Sequence, residues 1–139
     1  MGIADSQGFV HDFQSAYNVV TDNFMTGPIF KTYRFTPQQL SARPLPAGTT
    51  PAQAWDRAVS ASDRHYEQTV HNICSNNCHH HTASALTFYG RSTSMLQAWA
   101  LISFRGRYTS WGALLCTYIP FLILVALGLG LGLGLGTGR

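Results

Sequence analysis

The apolar and polar positions divide the chain into an alternating opening, a helical middle and an unbroken apolar end. Phe9-Val-His-Asp-Phe13 alternates in the manner of a half-buried strand, and a short apolar stub, Gly2-Ile-Ala4, precedes it. The polar stretch Asp5-Ser-Gln-Gly8 between them carries a turn signal, so a β-hairpin is predicted. Tyr17-Asn-Val-Val20 reads as the next strand, and Ile29 to Phe35, after a turn at Gly27-Pro28, as another.

Beyond a loop rich in Pro, Ala and Gly from Ser41 to Thr50, the pattern changes to helical spacing. Thr50-Pro51-Ala52-Gln53 combines an N-cap, a proline at the first helical position and a capping-box glutamine. Trp55, Ala58, Val59, Tyr66 and Val70 then recur on one face, while Asp56, Arg57, Asp63, Arg64 and Glu67 fall elsewhere on the wheel. That face should pack on the sheet. The pattern breaks at Ser75-Asn-Asn77, and a second helix is predicted from Cys78 to Tyr89, closed by Gly90. Met95 to Phe104 is apolar but short, which fits a core helix, an interfacial helix or half of a membrane hairpin.

From Tyr108 to Gly138 there is no charged side chain, and about 20 apolar residues suffice to cross a hydrocarbon core of about 30 Å. The segment is therefore read as a transmembrane helix, with Pro120 a kink that lipid-embedded helices tolerate. Tyr108 and Trp111 suit the headgroup level, and Arg105 and Arg107 just outside them place the preceding domain on the cytosolic side, against Arg139 at the far end. The expected division is a polar α+β domain over 1–104 and an anchor with a Leu-Gly tail over 105–139. In that tail Gly128, Gly132 and Gly136 share a helical stripe of the kind through which transmembrane helices dimerise, although Gly130 and Gly134 lie opposite.

Composition agrees with an anchor, since only 11% of residues are charged against roughly 25% in a soluble domain. A net charge of +3 without any basic run gives no nucleic-acid surface. Three cysteines, Cys74, Cys78 and Cys116, do not make a disulfide framework, which favours a reducing, cytosol-facing environment.

The densest chemistry lies in His71-Asn-Ile-Cys-Ser-Asn-Asn-Cys-His-His-His-Thr82. With Asn77 as N-cap, Cys78 falls in the first helical turn, where unpaired N–H groups and the helix dipole favour a thiolate. A nucleophile also requires a base within hydrogen-bond reach and a group to orient it. The neighbours His79, His80 and His81 are not expected to supply that base, because adjacent side chains on a helix point apart. His71, Cys74, Cys78 and His81 are an alternative set of zinc ligands, though their spacing matches no common zinc module. The third reading is structural, with Asn76 and Asn77 as caps and Cys78 as a small buried hydrophobe.

Asn76-Asn-Cys-His-His-His-Thr-Ala83 resembles the Asn-Cys-His-x-His motif of the reversion-to-ethylene-sensitivity family of plants, whose animal counterpart is transmembrane protein 222. Gly8-Phe-Val-His-Asp-Phe13, Asp22-Asn-Phe-Met-Thr-Gly-Pro28, Tyr33-Arg-Phe35, Trp55-Asp56, His71-Asn72 and Tyr108 through Pro120-Phe121 extend the resemblance to nearly the whole chain before the Leu-Gly tail. The resemblance implies residence in endoplasmic reticulum or Golgi membranes and, in plants, regulation of an ethylene receptor. The strand-then-Asn-Cys-helix order is also similar to circularly permuted papain-like hydrolases, including lecithin retinol acyltransferase and PPPDE peptidases. On that analogy Cys78 matches the nucleophile, and His11 or Asp12 the orienting polar group. In the family a histidine stands just before the residues matching Met1-Gly-Ile3, so the general base lies outside the sequence as written.

The expected protein is thus a regulatory or interaction protein of internal membranes, with no cofactor and not an enzyme as written. Its partners are the bilayer, a receptor or other membrane protein, and a second copy through the glycine stripe. A thiol-dependent hydrolase or acyltransferase at Cys78 is the alternative, and a zinc module the second.

Overall fold

The computed structural model describes residues 1–24, 27–35, 40 and 44–136. Met25, Thr26 and residues 41–43 of the Pro-rich loop lie outside them. Among the described residues the chain is α+β, with small sheets and four α-helices, the last of them apolar and long enough to cross a membrane. Backbone contacts divide it into two compact units, residues 1–28 with 33–106 and residues 29–32 with 107–139.

In the first unit, β1 (Ile3–Ala4), β2 (Val10–Ser15) and β3 (Asn18–Thr21) form an antiparallel sheet in that order. Ile3 pairs with His11, and His11 in turn with Thr21. The first turn is built by Asp5, whose Oδ1 accepts from the N–H of Gln7 and of Phe9, both at 2.9 Å, while Gly8 supplies a φ of +98°. Tyr17 sits in the second turn at a φ of +61° rather than opening β3. Its N–H donates to the Thr69 carbonyl, which ties the turn to the end of the first helix.

That helix, α1 (Pro51–Tyr66), begins with the predicted capping box: Thr50 accepts from Gln53 N–H, and the Gln53 side chain accepts from Thr50 N–H. It ends earlier than the apolar spacing implies. Thr69 Oγ1 donates to the His65 carbonyl, the chain turns, and Val70 is left exposed outside the helix. Asn72 and Asn76 then pair through reciprocal backbone bonds and close a tight loop that leads into α2 (Cys78–Tyr89). Gly90 ends α2 at a φ of +114°, and α3 (Met95–Ala100) follows behind a Ser94–Gln97 capping box. A π-helical turn, Leu101–Arg105, continues it.

The core lies where the sheet meets α1 and α2. Ile3, Val59 and Ala85 are buried together with Trp55 against them, and Phe13, Tyr66 and Leu86 are buried as well. Trp55 also donates from Nε1 to the Ala4 carbonyl at 2.8 Å, and Asp56 accepts from both the N–H and the hydroxyl of Ser6. The amphipathic face of α1 is thereby fixed to the first hairpin at two adjacent positions.

In the second unit the predicted strand from Ile29 to Phe35 is reduced to β4 (Lys31–Thr32), paired antiparallel with β5 (Arg107–Tyr108). Thr109 extends this pairing, donating to Phe30 O from its N–H and to Ile29 O from its hydroxyl. Lys31 Nζ lies 4.7 Å from the Tyr108 ring centre. Ser110 accepts from Ala113 N–H and starts α4 (Trp111–Gly136), which contains Pro120. Trp111–Gly130 meets the length and composition of a membrane span, about 30 Å at 1.5 Å per residue. Its apolar side chains face outward, Phe121 at 63% and Leu124 at 69% exposure, which is compatible with a lipid surround. Space around Gly128 is open, whereas Gly132 and Gly136 lie past the last residue whose surroundings are described.

Candidate functional site

Strand β2 sends alternate side chains to opposite sides, and this parity decides which polar residues meet. His11 and Phe13 point toward the helices. Phe13 lies against the rings of Tyr66 and His71, at 5.0 and 5.1 Å between centroids. His11 Nδ1 meets Asp63 Oδ2 at 2.8 Å, and His81 Nε2 meets Asp63 Oδ1 at the same distance. One α1 carboxylate thus bridges a histidine of β2 and a fully buried histidine of α2. Ser62 adds a bond to the His81 carbonyl, and the Tyr66 ring packs edge-on against His81.

Asp12, of the other parity, lines a cavity of about 580 Å³ at the starts of α2 and α3, where Phe13, Gln14, Cys78, His79, Leu96 and Trp99 also contribute. Asn77 caps α2 with one carbonyl oxygen that accepts from His79 N–H at 2.9 Å and His80 N–H at 3.3 Å, while its amide donates to Ile73 O. Cys78 is then the first helical residue, half-buried at the cavity wall. The imidazole of His79 turns back over it, with Nδ1 3.6 Å from Cys78 Sγ. Partial burial lowers the His79 pKa from its ordinary 6.5, the Met1 amino group and His80 lower it further, and Asp12 opposes them. The ring is therefore a neutral proton acceptor at pH 7, next to a thiol.

Asp12 is only 6% exposed, yet its Oδ1 accepts no hydrogen bond. The charge beside it is the Met1 amino group at 3.6 Å, too long for a bond. A buried carboxylate oxygen without a donor is costly and uncommon.

Of the residues singled out in the sequence, Asp12 and Cys78 share this cavity, while His11 is committed to Asp63 on the far side of β2. The zinc set does not assemble. His81 faces Asp63, His71 packs on Phe13, Cys74 is exposed on the loop, and no three His, Cys, Asp or Glu side chains among the described residues converge on a metal position. The sequence reading looked for a base beyond the chain and discounted His79. In the structure His79 Nδ1 lies 3.6 Å from Cys78 Sγ, so this neighbour is near the thiol although adjacent helix positions were expected to point apart. The Asp63 bridge was also missed, although period-two parity already separated His11 from Asp12.

Residues 1–106 match the family described as RTE1-like. The chain belongs to the RTE1-like family. Among curated relatives of this RTE1-like chain, protein Reversion-to-ethylene sensitivity1 of Arabidopsis thaliana is 25% identical over 141 residues. The alignment covers 91% of this chain and 56% of that relative, so the chain spans a little over half the relative's length. No solved structure matches.

Proposed function

We propose that this RTE1-like chain is a membrane-anchored regulatory protein of the endoplasmic reticulum or Golgi. It holds its α+β domain on the cytosolic side and acts by binding another membrane protein, of which a receptor is the expected kind. The observation that carries the reading is α4, an uncharged 26-residue helix whose apolar side chains are exposed from Leu115 to Leu129. Arg105 and Arg107 before it support the cytosolic orientation, and three unpaired cysteines support a reducing side. Family membership supports regulation, since the relative's name records an effect on ethylene sensitivity. Alkaline carbonate extraction of membranes holding the full chain tests the anchor: the protein should stay in the pellet, and release to the supernatant overturns the reading.

A second reading, a thiol-dependent hydrolase or acyltransferase with a permuted papain-like layout, is favoured by the cavity. On this reading Cys78 is the nucleophile, the His79 imidazole at 3.6 Å the base, and the Asp12 carboxylate, whose Oδ1 accepts no hydrogen bond, a charge that favours the imidazolium. On this reading iodoacetamide modifies Cys78 much faster than the exposed Cys74. Equal, slow modification of both overturns it.

A further inference from the structure

One side of α3 is fixed on the domain and the other is exposed. Ala98 is buried, and Thr93, just ahead of the helix, donates its N–H to Thr87 Oγ1 of α2. Away from that contact Leu96 is 65%, Trp99 43% and Phe104 78% exposed. Leu96 and Trp99 share a helix face by their spacing. In an unbroken α-helix Phe104 would lie about 140° around the axis from Trp99. The wider π-helical turn at Leu101–Arg105 reduces that offset, and the two rings meet edge to face with centroids 5.9 Å apart. The result is one apolar stripe, Leu96, Trp99 and Phe104.

The charges that accompany the stripe are of one sign. All six acidic residues precede Gln68, so the remainder of the chain carries Arg91, Arg105, Arg107 and Arg139 and no acidic side chain. Arg105 and Arg107 are exposed, and they follow Phe104 directly in the sequence. Phe104 lies seven residues before Trp111, where α4 begins, and a chain of that length reaches at most about 25 Å. A span through α4 therefore holds the stripe within that reach of a bilayer surface. Half of a membrane hairpin is excluded by length: α3 and the π turn together rise no more than about 16 Å, about half of a hydrocarbon core.

From this we infer that α3 and the π turn lie in the headgroup layer of the bilayer that α4 crosses, with Leu96, Trp99 and Phe104 among the upper acyl carbons and Arg105 and Arg107 on anionic headgroups. The inference rests on the anchor reading and adds to it the surface by which the α+β domain meets the membrane. An indole suits that depth, since its ring is apolar and its N–H stays with the polar layer, and a guanidinium fits a lipid phosphate. Tethering favours lipid over a protein as the cover: the anchor keeps the bilayer at high effective concentration beside the stripe, and the cytosolic leaflet carries the negative charge that an acid-free segment suits.

The test uses the full chain in nanodiscs of phosphatidylcholine and phosphatidylserine, with and without bromine high on one acyl chain of the lipid. Trp111→Phe leaves Trp99 to report the stripe, Trp99→Phe leaves Trp111 to report the anchor, and the variant with both changes gives the Trp55 background. Bromine should quench Trp99 and Trp111 several-fold more than Trp55, which packs against the core. Phe104→Ser, at an exposed position that keeps the fold, should weaken quenching of Trp99 and leave that of Trp111. Discs of phosphatidylcholine alone should likewise weaken quenching of Trp99 only. Quenching of Trp111 without Trp99 overturns the inference and leaves the anchor standing. Trp99 shielded from both bromine and aqueous iodide means that a protein surface covers the stripe, which overturns it as well. Quenching of Trp99 that ignores phosphatidylserine overturns the role given to Arg105 and Arg107. Quenching of neither reporter removes the anchor and the docking together.

Discussion

The two faces of β2 treat a buried carboxylate in opposite ways. On the helix side Asp63 has both oxygens engaged, one by His11 and one by His81, each at 2.8 Å. Asp12, in the cavity, is buried more deeply than Asp63, and its Oδ1 has no hydrogen bond, only the Met1 amino group at 3.6 Å. The atoms left over on the helix side are His11 Nε2 and His81 Nδ1, ring nitrogens that carry little charge when neutral. The first arrangement is what a core requires of a charge. The second adds a cost that packing alone does not repay, and folds keep such costs where a site needs them.

Asp63→Asn breaks this comparison from its stable side and should have the largest effect. An asparagine offers one acceptor where two histidines need two, so a buried bond is lost and a donor is stranded. A loss of about 3 kcal/mol in unfolding of the full chain is expected, on the scale of breaking a buried pair. A loss below about 1 kcal/mol would mean that water reaches the bridge and that the two faces of β2 do not differ as described.

Asp12→Asn tests the other side, with a smaller effect and a reversed sign. Removing a buried charge that has only the long 3.6 Å pairing with the Met1 amino group should leave stability unchanged or raise it by up to about 1 kcal/mol. The same variant should slow alkylation of Cys78 several-fold, because the His79 imidazolium loses its counter-charge. A protein that becomes more stable and less reactive together is the signature of a carboxylate kept for its site. If Asp12→Asn destabilises as Asp63→Asn does, Asp12 is an ordinary structural group.

How far the sequence could be read follows from what kind of physics sets each feature. Local signals were legible: the Thr50–Gln53 capping box, the Asn77 cap and Gly90 closing α2 are formed by residues within a turn of one another. The apolar α4 was legible because about twenty uncharged residues have few other uses. The end of α1 was not, since Val70 continues the helical spacing while a bond from Thr69 and the contact with Tyr17 turn the chain earlier. Nor was the β4–β5 pairing, whose partners Lys31 and Tyr108 are brought together only by the tertiary fold. At the site, the Asn-Cys-His run drew attention to Cys78 and left His11 and Asp12 as alternatives that strand parity could have told apart, but the rotamer that sets His79 over Sγ is a matter of packing and leaves no mark in spacing.

The finest test of the comparison is the pH dependence of His79. Its folded pKa lies below 6.5, with burial the largest cause, then the Met1 amino group and His80, and with Asp12 acting against them. The sign follows directly. Below pH 6.5 the unfolded chain binds a proton that the folded chain refuses, so this group's contribution to stability falls as the pH drops, until the folded imidazole protonates too. Between those two pH values the folded ring is still neutral and still able to take the Cys78 proton. The acid limb of the Cys78 alkylation rate should accordingly lie below 6.5, and His79→Gln should abolish that limb while slowing the reaction at pH 7. In Asp12→Asn the limb should move to still lower pH, because the one influence that holds a proton on His79 is gone. A limb that stays in place in Asp12→Asn would mean that the carboxylate does not act on this ring, and the cavity side of β2 would then hold two separate groups rather than one site.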